Sequence, residues 1–265
     1  MKEDKKKKIR LAVQIASFAF ALFWLVLIIA GSNYVIHQIC PYAVVCFGIS
    51  GTTFLNIGGL VMAGAIIFSL AVLVYTMFYG RRFCAWLCPL GSLQEWIYSI
   101  RSKKYRMKHR APYYVDRRLA WIKYAILAVT SVLSILGLGY LFIRLCPFYS
   151  LAMLPRLAIP GLVIIALIIV KSIFGEREWC RFLCPYAALM NVFQYLGELV
   201  GIRRKKIRRN LERCTDCGLC SLNCPMNINI CESEYVHSPN CIHCGICTQK
   251  CPKPGTCTEE CECEK

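Results

Sequence analysis

The chain has 265 residues, 57% of them hydrophobic, and a formal net charge of +17, with a mean hydropathy of +0.49. A soluble domain of this length rarely combines so much apolar side chain with so much charge, so the charge must be segregated from long apolar stretches. The Lys/Arg excess is better explained by membrane topology than by nucleic acid, and no nucleic-acid partner is expected. Nineteen cysteines, clustered as C-x2-C, point to metal ligation in a reducing compartment rather than to a disulfide framework.

Residues 1–10 form a basic tail carrying Lys2, Lys5, Lys6, Lys7, Lys8 and Arg10. Four apolar stretches follow, Leu11–Ala30, Gly58–Tyr79, Leu119–Leu141 and Ala158–Phe174, each long enough or nearly so to span about 30 Å of hydrocarbon. Lys171, near the end of the fourth, can snorkel to the interface. The first stretch is too long for a signal-peptide core and has no small-x-small cleavage site, so it reads as a retained anchor. Orientation follows the Lys/Arg bias. The loop after the second stretch holds ten Lys or Arg residues between Arg81 and Arg118, while residues 31–57 hold none. The expected location is the cytoplasmic (inner) membrane, multi-pass, with both termini on the cytoplasmic side.

Two motifs recur in the same order. Ile39-Cys40-Pro41-Tyr42 matches Leu145-Cys146-Pro147-Phe148 on the outer side, and Cys84-x3-Cys88-Pro89 matches Cys180-x3-Cys184-Pro185 on the inner side. Both units enter from the cytoplasm, so the two-fold relating them lies along the membrane normal, as in parallel repeats. A C-x3-C spacing puts two thiols on one helix face, with Pro89 and Pro185 marking a kink or a helix start. One pair cannot complete a [4Fe–4S] site. Cys84, Cys88, Cys180 and Cys184 together supply four thiolates and are candidate ligands of a third cluster, the alternative being buried free thiols. Cys40 and Cys146 would meet near the outer face as an iron centre, a disulfide or neither. No haem is expected, because His37 at the outer edge is the only histidine near the helices. Ser50-Gly51-Thr52-Thr53 reads as a polar outer loop, although it loosely resembles sites of covalent FMN. Amphipathic stretches Leu90–Ile100 and Tyr186–Gly201 carry interfacial aromatics such as Trp96 and Tyr195.

The basic run Arg203–Arg209 then reads as an anchor near anionic headgroups or a docking patch for an acidic carrier. Beyond it, Cys214, Cys217, Cys220 and Cys224-Pro225 repeat as Cys241, Cys244, Cys247 and Cys251-Pro252. Each run is C-x2-C-x2-C-x3-C-P, the bacterial two-cluster spacing, in which the fourth cysteine ligates the other cluster. Cys214, Cys217, Cys220 and Cys251 are therefore assigned to one [4Fe–4S] cluster, and Cys241, Cys244, Cys247 and Cys224 to a second. Zinc prefers separated C-x2-C pairs, which this spacing disfavours. Gly218 and Gly245 sit where the ligand loop turns tightly. Cys231 reads as an ordinary buried thiol. The tail with Cys257, Cys261 and Cys263 reads as a frayed terminus, the alternative being a metal site.

The expected fold is mainly α: a four-transmembrane-helix bundle built from two parallel repeats, plus a small C-terminal α+β ferredoxin domain with two [4Fe–4S] clusters. The expected boundaries are 1–10 for the tail, 11–201 for the membrane domain (repeats about 11–100 and 119–201), 203–256 for the ferredoxin domain and 257–265 for the Cys/Glu-rich end.

With the paired C-x3-C-P motifs and the double ferredoxin run in place, the chain from Leu11 to Pro252 resembles the membrane polyferredoxins related to the H subunit of periplasmic nitrate reductase systems (NapH). It is similar also to the C-terminal half of the nitrous-oxide-reductase regulator (NosR). The resemblance implies a membrane electron-transfer component, often tied to quinol oxidation or to outer-face flavoproteins. The regulator's extracytoplasmic flavin domain has no counterpart, so any flavin would come from a partner. Expected partners are membrane lipid, a quinone or an outer-face redox protein, and a cytoplasmic ferredoxin or oxidoreductase. The alternative is a membrane reductase or redox accessory protein for metal-enzyme maturation.

Overall fold

The computed structural model describes residues 2–29, 42, 45, 59–102, 105, 110–138, 146, 159–253 and 255–261. The chain is mainly helical. Helix α1 (Lys2–Ile29) runs from the basic tail through the first apolar stretch, and α2 (Gly59–Tyr79), α6 (Ile122–Ile135) and α7 (Ile159–Phe174) fall in the other three, with α5 (Tyr113–Leu119) leading into α6. Lys5–Val26 and Tyr113–Ile135 are long and apolar enough to cross a membrane, and Ile66–Tyr79 and Gly161–Phe174 are shorter apolar stretches.

Their side chains are distributed inside out. Phe20, Phe23, Val26, Ile67 and Val129 are each more than half exposed, while Gln14, Ser69, Thr76, Thr130 and Ser172 are buried. Water would not tolerate so continuous an apolar exterior. Where no water reaches, hydroxyls must find backbone acceptors. Thr76 donates to the Val72 carbonyl at 2.7 Å and Ser172 to that of Ile168 at 2.6 Å. These features mark a membrane protein.

Short helices carry the inner motifs. After α2 come α3 (Arg82–Trp86) and α4 (Pro89–Ser99); after α7 come a π-helical turn (Trp179–Leu183) and α8 (Pro185–Leu199). The sequence expectation that each C-x3-C lies on one helix face needs correction. Cys84 sits in α3 and Cys180 in the π turn, but Cys88 and Cys184 are extended N-caps. Pro89 and Pro185 take the first helical position, where a missing N–H costs nothing, so each proline starts a new helix rather than kinking an old one. Helix α4 packs on α1 and α7, and α8 packs on α6 and α2.

The C-terminal domain holds β1 (Lys205–Arg209), α9 (Leu219–Leu222), a 3-10 turn (Ile230–Glu232), α10 (Ile246–Lys250) and β2 (Cys257–Cys261). The strands pair antiparallel, Lys205 opposite Cys261 and Arg209 opposite Cys257. Two expectations change here. The first residues of the tail are not frayed: opposite charges align across the ladder, which stabilises such pairs. Arg208 binds Glu260 and Glu234, each at 2.9 Å. The basic run is correspondingly no free patch, since Arg204 also pairs with Glu198 and Arg209 with Asp216.

Candidate iron–sulfur centres

Three groups of cysteines are positioned by these elements. Cys214, Cys217, Cys220 and Cys251 line one pocket, while Cys224, Cys241, Cys244 and Cys247 line a second, walled by Ile207, Met226, Ile230 and Ile242. In each, the fourth cysteine comes from the other run, as the spacing leads one to expect. Gly218 and Gly245 adopt φ of +70° and +72°, immediately before α9 and α10. That left-handed turn, strained for a side chain, lets a short helix carry the third cysteine back to the pocket.

Two thiols not assigned from sequence lie at the first pocket. Cys257, at the start of β2, is buried, and Cys231 is 3.7 Å from Cys220. A hydrogen bond from Cys257 holds the Cys220 thiol down at about 5. In the second pocket burial dominates. It pushes Cys241 and Cys244 up to about 12, and neighbouring thiols add to the effect. Four thiolates in a dry pocket repel one another unless a cation compensates them, which is the role of cluster iron.

The third group lies at the junction of the repeated motifs. Cys88 and Cys184 have near-identical backbones, φ/ψ −73°/111° and −71°/110°. Cys84 Sγ is 3.6 Å from Met190 Sδ on α8, and Gln94 on α4 donates to Cys180 Sγ at 3.7 Å. Gln94 and Met190 are 96 residues apart, the same offset as Cys84 and Cys180. Burial pushes Cys88 well up and Cys184 up to about 12, with Cys84 and Cys180 raising both further. These four thiols are thus electrostatic neighbours.

Around them lies a buried charge network that sequence reasoning missed. Glu95 on α4 binds Arg10 and Arg177, each at 2.6 Å, and Arg177 is fully buried. Burial raises the Glu95 carboxyl, but Arg177 and then Arg10 outweigh it and hold the group below its ordinary value. Arg177 donates to the Cys84 carbonyl at 2.6 Å. A Cβ on Gly91 would lie 2.9 Å from Arg177 Nη1 and 3.1 Å from that carbonyl, so a side chain there would have to displace the guanidinium from its place. Arg81, also fully buried, donates to Asn191 at 3.2 Å and Asn240 at 3.3 Å. The signal was available: Arg81 and Arg177 share the 96-residue offset of the cysteines.

The ferredoxin domain abuts this junction. Asn240, which precedes Cys241, accepts from Arg81, Asn191 and Lys123. Glu259 on β2 binds Arg82 at 2.9 Å and faces His243 at 3.7 Å. Arg110 reaches Asn227 and the carbonyls of Leu222 and Cys224. Among the described residues no three His, Cys, Asp or Glu side chains converge closely enough to grip one bare metal ion. Cys146 is partly exposed. Cys40, His37, the Ser50–Thr53 loop and Cys263 lie outside the described residues, so the expected meeting of Cys40 with Cys146 does too.

A ferredoxin domain built from cysteine-lined pockets and set against apolar helices defines an iron–sulfur protein. Comparison with known proteins narrows the class. The 4Fe-4S binding domain family matches residues 61–108 and 157–210, once over each C-x3-C-P unit. YccM of Escherichia coli, named as a candidate electron transport protein, is 32% identical over 210 residues, covering 76% of this chain and 54% of its own. An uncharacterized protein of Methanocaldococcus jannaschii is 33% identical over 164 residues, covering 61% of this chain and 65% of its own. The regulatory protein NosR of Pseudomonas aeruginosa is 31% identical over 157 residues, 56% of this chain and 21% of that one. The chain thus spans between about half and two thirds of the first two relatives. No solved structure matches it. These matches support a 4Fe-4S protein of the NapH/NosR type.

Proposed function

We propose that the chain is a membrane electron conduit with three [4Fe–4S] centres. Cys214, Cys217, Cys220 and Cys251 hold the first, Cys224, Cys241, Cys244 and Cys247 the second, and Cys84, Cys88, Cys180 and Cys184 the third. When bound, each cluster supplies a one-electron couple. The protein's part is to ligate it, keep it dry and hold it near its neighbour. One observation carries the third centre: the 4Fe-4S family matches the chain twice, over the two units whose cysteine pairs are brought together.

The packing supports a two-fold repeat. Contacts of α1 with α4 and α3 have counterparts in α6 with α8 and the π turn, and α2 on α8 mirrors α7 on α4. The Lys/Arg distribution supports an inner-membrane, multi-pass topology with the ferredoxin domain in the cytoplasm. In that arrangement electrons run between a cytoplasmic donor at the first pocket and the third centre at the membrane base. From there they reach a quinone or an outer-face redox partner, such as a flavoprotein.

The test is reoxidation of the chemically reduced full-length protein in liposomes. A membrane quinone should reoxidise the clusters, and Cys84→Ser/Cys180→Ser should slow this at least tenfold. Reoxidation by ferric or cupric ions but not by quinone would favour the metal-reductase alternative. Quinone reoxidation at an unchanged rate in the double variant would remove the third centre from the path.

A further inference from the structure

The two halves of the junction are alike in geometry but not in charge. Arg177 and Arg81 occupy the same place in the two repeats, and both are fully buried. Arg177 is neutralised by Glu95. At the position equivalent to Glu95, 96 residues on, the second repeat has Asn191. Arg81 accordingly finds amide oxygens on Asn191 and Asn240, and its Nε has no partner. Lys123, also fully buried, binds the same Asn240 oxygen. Neither cation has a carboxylate within ion-pair distance among the described residues. Burying an unpaired guanidinium is costly unless an anion faces it. Arg81 Nη2 is directed at Cys84 Sγ, 4.0 Å away.

We infer that Arg81 is the potential-setting charge of the centre held by Cys84, Cys88, Cys180 and Cys184, left uncompensated because Asn191 replaces the carboxylate that Glu95 supplies in the other repeat. The inference rests on the reading of these cysteines as cluster ligands. The potential of an iron–sulfur cluster follows the net charge and hydrogen bonds around it. A buried cation stabilises the electron-rich state and raises the potential. One electron taken up here is one lost by the neighbouring ferredoxin cluster, and no proton or other reactant is needed. With Asn240 just before Cys241, the positive charge lies on the side facing that neighbour. Arg81 is thus a positioning and tuning residue for electron exchange between the two centres, and the amide at position 191 is what keeps its charge available.

The measurement is an EPR-monitored redox titration of anaerobically purified full-length protein. Asn191→Asp supplies the missing carboxylate and should lower the midpoint of the third signal. The expected change in reduced-to-oxidised ratio at fixed potential is at least tenfold, which is 59 mV for one electron. Arg81→Gln should do the same, and Arg81→Lys should stay near wild type. Glu95→Gln, which frees Arg177, should shift the midpoint the opposite way. Mere damage to packing does not give opposite signs at two equivalent positions. Shifts of the same sign at 95 and 191, or a third signal unmoved in all variants, overturn the inference. A wild-type protein lacking the third signal overturns the underlying reading, and this inference with it.

Discussion

Glu95 joins two buried arginines, and its removal is the sharpest structural perturbation available. In Glu95→Ala the fully buried Arg177 and the nearly buried Arg10 lose the carboxylate they share. Removing one partner of a buried pair costs about 3–5 kcal/mol, because the charge left behind stays desolvated. For a chain of this size each kcal/mol shifts Tm by roughly 2–4 °C, so a fall of about 6–20 °C is expected. Differential scanning fluorimetry of the detergent-solubilised protein measures it. Arg10→Ala/Glu95→Ala should recover part of the loss, since one orphaned cation is then gone. The pH dependence has a definite sign. Glu95 is held below the ordinary value of 4.5, so its stabilisation is fully present above that value and is lost as pH falls through the lower folded one. Wild-type and variant Tm should converge on acidification, not at alkaline pH. A change under 2 °C near neutrality, or convergence at high pH, would refute the assigned role.

Two further outcomes follow from the ferredoxin domain. Cys251→Ser should lose about four irons per chain, because under the proposed assignment it removes a ligand of the first cluster, whereas Cys257→Ser should keep them; iron analysis beside acid-labile sulfide decides. Loss of iron in Cys257→Ser alone would make β2 the source of the fourth ligand. Gly80 has φ +71°, and a Cβ there would lie 2.8 Å from His243 Cδ2. Gly80→Ala should cost about 1–2 kcal/mol for the left-handed backbone alone, and Gly80→Ala/His243→Ala should recover only what exceeds that. Thermal unfolding of the pair checks this, and a Gly80→Ala protein as stable as wild type contradicts it.

Much of the architecture was legible because it rests on local pattern. The apolar runs coincide with most of the helices they form, and the x2-x2-x3 spacing picked out four of the six cysteines that line the first ferredoxin pocket and all four of the second. What was missed depended on long-range partners. Nothing local in Arg203–Arg209 says that Glu234 and Glu260 will pair with Arg208, so a segment that forms a strand was read as a headgroup anchor or a docking patch. The same pairing draws Cys257 out of an expected frayed end into the first pocket. The C-x3-C spacing suggested one helix face, but the following proline starts a new helix and leaves Cys88 and Cys184 extended. Arg81 was counted among the positive-inside charges, and Arg177 was not singled out. Only the 96-residue offset applied beyond the cysteines would have singled them out.

The central claim is that the two C-x3-C-P units share a cluster. Iron and acid-labile sulfide per chain, measured on anaerobically purified protein with EPR after reduction, test it most directly. The account predicts about twelve irons in wild type, falling toward about eight in Cys84→Ser/Cys180→Ser, with one reduced signal lost. About eight irons in both proteins, with unchanged spectra, would confine the clusters to the ferredoxin domain and contradict it.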